Sequence, residues 1–187
     1  MARLTTLLAA TTWTALLVAC SDSGSTDRLE PTAPSAARAE EGVRRIEMLD
    51  ACDPTTFNAV LGPTGCVRSG GVTFAHFIDQ VTRKGEAPAW RFAPTNVQAR
   101  VGQTLLAINR GGEEHTFTEV EEFGGGVVPI LNQLSGNTEV APECAALAPS
   151  DRIPPGETYS DEVEETGTEL YQCCIHPWMR TTVTARR

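Results

Sequence analysis

The sequence predicts a mainly β fold, a Greek-key β-sandwich carrying a small N-terminal helical extension. Three observations predict it. From Trp90 onward, short apolar–polar alternations are separated by Gly and Pro turns. The last stretch, Arg180-Thr-Thr-Val-Thr-Ala185, is rich in β-branched residues, which pack well on a pleated surface. Residues 46 to 85 instead space their apolar side chains for helices.

Taken in order, the chain opens with a basic head, Met1-Ala-Arg3, and an uncharged run from Leu4 to Ala19 that is too short for a convincing membrane span. The run ends in Leu17-Val18-Ala19-Cys20, which resembles a bacterial lipobox. Cleavage before Cys20 and acylation of its thiol would anchor the protein by lipid; the alternative is an ordinary signal peptide that leaves Cys20 free or disulfide-bonded. Both place the mature chain in an oxidising, extracytoplasmic space, the periplasm or the cell surface. The small polar residues that follow cannot bury a core and read as a tether reaching roughly 25–30 Å. The expected organisation is therefore a leader over 1–19, a lipidated tether over 20–45, a helical extension over 46–87 and a sandwich over 88–187.

Within the extension, Asp53 caps a short helix that starts at Pro54 and stops at Gly62. Thr73 caps a second, in which Phe74, Phe77, Ile78 and Val81 form one apolar face, Arg83 and Lys84 occupy the last turn and Gly85 ends it. His76 lies off that face and is expected in solvent. In the sandwich, Val97, Ala99 and Val101 alternate with polar residues, and Thr116 to Val120 favours extended backbone after a Gly111-Gly112 turn. Residues 122–150 are the least regular: Val127 to Leu134 fits either a short helix or a covering loop.

The chemistry concentrates near the C-terminus. Cys173-Cys-Ile-His176-Pro-Trp-Met179 places a thiol, an imidazole and a thioether in one loop at C-x-x-H-x-x-M spacing. Two His and one Cys with a long axial Met form the shell of blue-copper sites. The second imidazole must come from elsewhere in a chain with three histidines, and His115, at a strand entry, is the candidate. The chain resembles the cupredoxins, the plastocyanin- and amicyanin-like small blue-copper proteins. Amicyanin's loop has the same spacing, and Tyr171, Pro177, Arg180, Asn109 and Ala89-Trp-Arg-Phe-Ala-Pro94 also fit. The resemblance covers residues 88 to 187. It implies His115, Cys173 and His176 as equatorial ligands and Met179 as the axial ligand of one copper ion per chain, with the His176 edge as an electron port in an apolar patch. Thr116 stands where the family commonly has Asn; its hydroxyl offers a similar bridging hydrogen bond.

The six cysteines support this reading. With Cys20 given to lipid and Cys173 to copper, Cys52, Cys66, Cys144 and Cys174 remain, an even number suited to two disulfides. Cys52 and Cys66 bracket the first helix. Cys144 is then left for Cys174, which in extended backbone points away from Cys173. The rival is a free Cys174 competing for the metal.

Charge and counting exclude several functions. Three histidines and no H-x-H pair cannot build an oxygen-reducing copper cluster, and no Ser/His/Asp-type motif is present, so an enzyme is not expected. The net charge of −9 and the lack of an internal basic run disfavour nucleic acid. The acidic groups Glu113-Glu114, Glu119, Glu121-Glu122 and 161–165 are either a solvated surface or a steering field for a basic redox partner, such as a c-type cytochrome or a membrane oxidoreductase. The expected function is monomeric, membrane-tethered copper electron transfer. Copper delivery or storage is the alternative, and a metal-free adhesion or assembly module is a third.

Overall fold

Two four-stranded sheets face each other in the computed structural model, whose described residues are 42–187. The leader, Cys20 and most of the expected tether lie outside the described residues. The first sheet has the order β2 (Arg91–Ala93), β1 (Val43–Leu49), β4 (Thr104–Asn109), β8 (Thr158–Glu162). The second has the order β3 (Asn96–Arg100), β10 (Arg180–Arg186), β9 (Gly167–Gln172), β6 (Thr118–Val120). A two-stranded ribbon pairs β5 (His115–Thr116) with β7 (Arg152–Ile153). Ile46, Met48, Phe92, Leu105 and Ala107 from the first sheet meet Val97, Ala99, Tyr171, Val183 and Ala185 from the second in one buried core. The mainly β sandwich with added helices is thus the observed fold.

One expectation is corrected. Residues 46–49, assigned to the helical extension, belong to β1, and so do residues 43–45 of the expected tether. Strand β1 sits inside the first sheet, parallel to β4 and antiparallel to β2. Its residues alternate: Ile46 and Met48 are buried, Arg45 and Glu47 exposed. That period of two signals a half-buried strand, and the parallel partner that fixes it lies some sixty residues away.

The helices follow their local signals. Helix α1 (Pro54–Leu61) is capped by the Asp53 carboxylate, which accepts from the Thr56 N–H. Helix α2 (Phe74–Lys84) is capped by the Thr73 hydroxyl and ends at Gly85 in the left-handed conformation. Phe77 and Val81 are buried, Phe74 and Ile78 pack against the same core, and His76 is exposed beside Gln80. Phe57 stacks on Trp90 at 5.7 Å between centroids, and Phe77 tilts onto Trp90 at 4.5 Å, joining both helices to the sandwich. Between Val127 and Leu134 the chain forms α3 (Pro129–Ser135), which packs on α2, and Cys144 lies on the short α4 (Pro142–Ala145). Cys52 is bonded to Cys66 and Cys144 to Cys174, leaving Cys173 as the free, buried thiol among the described residues.

Candidate metal centre

Three elements deliver the candidate donors to one end of the sandwich. His115 opens β5, Cys173 follows the last residue of β9, and His176 and Met179 lie in the loop between β9 and β10. That loop is short because the two strands are hydrogen-bonded neighbours. It is closed by two backbone bonds, Cys173 N–H to the Met179 carbonyl at 3.0 Å and Met179 N–H to the His176 carbonyl at 2.9 Å.

The Nδ1 atoms of both His115 and His176 lie 3.9 Å from the Cys173 sulfur. The three donor atoms fall within 4.8 Å of one another, and all three residues are buried. Metal bonds to nitrogen and sulfur run about 2.0–2.3 Å, so this spacing suits one ion shared by the three. An unoxidised thiol flanked by two imidazoles, with no disulfide partner, is the soft N₂S set that copper favours. Met179 is fully buried in the same core, tied through its backbone to both Cys173 and His176. His115, Cys173 and His176 therefore fit a soft metal ion such as copper.

Two carboxylates that the sequence did not single out in this role lie behind the imidazoles. Asp50, just after β1, places Oδ2 3.0 Å from His115 Nε2. The same carboxylate accepts from the backbone N–H groups of Cys52, Gly112 and Glu113 at 2.8–3.2 Å. Gly111 and Gly112 make this approach possible: a Cβ on Gly111 would overlap the Asp50 carboxylate, and one on Gly112 would lie 2.6 Å from the Cys52 sulfur. Glu113, expected among the surface acids, is instead buried at 6 % exposure, accepts from Trp90 Nε1 at 2.5 Å and sits 3.8 Å from His176 Nε2. Each imidazole thus turns Nδ1 toward the thiol and Nε2 toward a carboxylate.

The electrostatics follow. Burial alone would raise the Asp50 carboxyl, but the His115 hydrogen bond and the backbone donors outweigh it and keep Asp50 ionised. Burial opposes charging His115, yet its bonds to Asp50 and Cys173 favour the imidazolium. Burial likewise opposes the Cys173 thiolate, and the two imidazoles more than compensate. Burial raises the Glu113 carboxyl, only partly offset by His176 and Trp90. The neighbouring group Asp50, Cys52 and Glu113 does not form a second centre, because the Cys52 sulfur is committed to Cys66.

Thr116 makes the bridge expected of it. Its hydroxyl accepts from the Cys174 N–H at 2.8 Å, and its own N–H points at the Cys173 sulfur at 3.5 Å. Asn109 ties the approach to His115, donating to the Glu113 and Ile153 carbonyls at 2.8 Å each.

The His176 edge, expected as an electron port in an apolar patch, lines an apolar cavity. The residue is 3 % exposed and lies beneath Trp178, Phe77 and Trp90 at centroid distances of 5.7, 6.1 and 6.4 Å. Above it, α1, α2 and α3 frame an apolar cavity of about 150 Å³ whose lining includes Phe74, Ile78, Ile130 and Ile175. The helices of the expected extension roof the site and supply Phe77 to its cover, and Asp50, between β1 and α1, backs His115.

No family model and no curated protein matches the chain. Among solved structures, a purple cupredoxin from Nitrosopumilus maritimus aligns over 76 % of this chain and 98 % of its own, at 17 % identity and a TM-score of 0.43. The M98Q mutant of amicyanin in its Cu(I) form aligns over 81 % and 89 %, at 16 % identity and a TM-score of 0.39. The reduced P94F amicyanin mutant reaches 27 % identity over 49 % of this chain and 70 % of its own, at a TM-score of 0.33. The functional reading accordingly rests on the geometry of the site.

Proposed function

We propose that this protein is a type 1 copper electron carrier, with one ion held by His115, Cys173, His176 and Met179. The observation that carries the proposal is the pair of imidazole Nδ1 atoms at equal 3.9 Å distances from a buried, unpaired thiol. When bound, copper supplies a one-electron couple, because thiolate suits Cu(I) and imidazole serves both oxidation states.

The chain's own residues do the rest. Asp50 holds a proton on His115 Nε2, so that the ion, on binding, would displace only the Nδ1 proton and take that lone pair. The Thr116 N–H, aimed at the Cys173 sulfur, draws electron density from the thiolate. Phe117, Pro177 and Met179 are buried around the site and exclude water. The two strand neighbours and the closed loop fix the donors in advance, so little rearrangement accompanies electron gain or loss. Electrons would pass between His176 and a partner at the apolar cavity that His176 lines, beside Trp178 and Phe77. The partner in this proposal is a basic redox protein, such as a c-type cytochrome or a membrane oxidoreductase, drawn by the acidic surface. The setting is the periplasm or cell surface, with a lipid at Cys20 as the anchor.

Copper delivery fits less well. His115, Cys173 and Met179 are all 0 % exposed, which closes the route by which an acceptor protein would take over ligands. The test is to add Cu(II) to the metal-free protein. An intense visible band, lost in Cys173→Ser, with reversible one-electron exchange, supports the carrier. A colourless complex, or copper that passes to an apo-acceptor without electron exchange, overturns it.

A further inference from the structure

The end of the sandwich opposite the metal centre carries a concentrated positive surface in a chain of net charge −9. Arg44, Arg100, Arg186 and Arg187 line one groove of about 260 Å³, with Gln98 and Ala99 between them. The sheets explain why they converge. Arg100 ends β3 and Arg186 ends β10, and the two are register partners. Arg44 lies near the start of β1, and its Nε donates across to the Gln98 carbonyl at 3.0 Å, which holds the two sheets together at this corner. Val101, in the turn between β3 and β4, is 41 % exposed, an apolar tip directly beside Arg100.

This groove and the metal centre mark the two ends of the same strand. Strand β10 leaves the candidate ligand loop at Arg180 and reaches the groove at Arg186, roughly 20 Å away at about 3.3 Å per residue. The preceding chain enters at the groove end as well: the Gly42 carbonyl accepts from Thr104 N–H at 2.9 Å, and Val43 is in register with Thr104. Gly42, the first described residue, thus lies at the arginine-lined end. Of the acidic side chains, Glu162 at the end of β8 and Glu164 and Glu165 in the β8–β9 connection also lie at this end, where Val163 is hydrogen-bonded to Gly102 and Gln103.

We infer that the β1–β3–β10 corner is a docking surface for the anionic headgroups of a phospholipid membrane, so that the domain leans on its arginines with the metal centre turned outward. Guanidinium groups pair with phosphate oxygens in a planar fork, and a cluster of four beside a tether is the arrangement that a negatively charged leaflet attracts. An exposed valine at the tip suits the headgroup boundary. The setting rests on the tethered reading above, but the surface chemistry is independent of the lipid.

The test uses the chain from residue 20 onward with Cys20→Ser, so that no acyl group contributes. It is mixed with vesicles of phosphatidylcholine alone or with one-third phosphatidylglycerol, and the bound fraction is read by flotation. Binding is expected to the anionic vesicles only and to fall steeply between 20 and 200 mM salt. The triple variant Arg44→Gln/Arg100→Gln/Arg186→Gln is expected to lose at least tenfold in partitioning. A control of equal charge change on other faces, Arg83→Gln/Arg91→Gln/Arg152→Gln, is expected to lose less than threefold. No binding to the anionic vesicles, or equal losses in the two triple variants, overturns the inference. Whether Cys20 is acylated in the cell is read separately, from the mass of the native protein, so failure of the anchor and failure of the surface are distinguishable.

Discussion

Asp50 and His115, 65 residues apart, meet through a 3.0 Å hydrogen bond with both side chains almost wholly out of solvent. The contact joins the segment after the first strand to the first candidate ligand, and it also satisfies the N–H groups of Gly112 and Glu113. Removing the carboxylate leaves a buried imidazole and the three backbone donors of Cys52, Gly112 and Glu113 without it. Breaking such a buried pair costs about 3–5 kcal/mol. Asp50→Ala is therefore expected to lower the urea midpoint strongly with an unchanged slope, and Asp50→Asn, which keeps an acceptor, to lower it less. Equal stability of Asp50→Ala and the native chain would show that the contact is incidental.

Trp90 and Glu113 make the second such contact, and here the expected change is smaller. Trp90→Phe keeps the stacking on Phe57 and Phe77 but removes the indole N–H from a buried carboxylate. The loss of that partner costs about 1–3 kcal/mol. Glu113→Gln keeps an acceptor for Trp90 and removes a negative charge near His176. In the copper-loaded protein its reduction potential is expected to rise, because a nearby negative charge favours the oxidised ion. A redox titration that finds the potential unchanged or lower sinks this account.

Thr116 offers a separation of hydroxyl from shape. Its Oγ1 accepts from Cys174 N–H and from the Thr118 hydroxyl in a buried position. Thr116→Val is expected to cost about 1–3 kcal/mol by leaving the Cys174 donor unpaired and to shift the visible band of the copper-loaded protein. Thr116→Ser, which retains the acceptor, is expected to restore both. If the serine variant behaves like the valine variant, packing rather than hydrogen bonding fixes the loop.

Much of this was legible locally. Helix caps at Asp53 and Thr73, the apolar face from Phe74 to Val81 and the C-x-x-H-x-x-M loop are all short-range patterns, and the two disulfides followed from parity once Cys20 and Cys173 were set apart. What the local pattern missed depends on distant partners. Strand β1 alternates, but its charged positions and brevity hid a strand whose partner is β4. Asp50 has no motif; only the Gly111-Gly112 pair, which admits its carboxylate, hinted at a close approach. Glu113 looked like one of a surface pair with Glu114, and it is buried because Trp90 and the roof of α2 close over it. The cover over His176 was missed for the same reason: the extension reads from sequence as an addition to the sandwich, whereas its Phe77 packs against the His176 ring.

The acidic surface yields a prediction with a definite sign. Glu119 and Glu169 lie on the adjacent strands β6 and β9, near Asp161, Glu164 and Glu165, and burial together with these like charges raises both carboxyls above the ordinary 4.5. A carboxyl that is easier to protonate when folded makes the folded state bind more protons than the unfolded one between 4.5 and its raised value. Stability from this cluster therefore increases as pH falls from neutrality through that window, and is flat below it. Glu119→Gln relieves the repulsion without that proton. It is expected to raise Tm by about 1–3 °C at pH 7 in low salt, with the gain disappearing near pH 4 and shrinking in 0.5 M salt as the charges are screened. On the proposed function, the same variant is expected to slow electron exchange with a basic cytochrome at low ionic strength, by removing one charge from the acidic face. A gain in Tm that persists at pH 4 would place the effect in packing, and an exchange rate insensitive to both salt and Glu119→Gln would remove the acidic face from partner recognition.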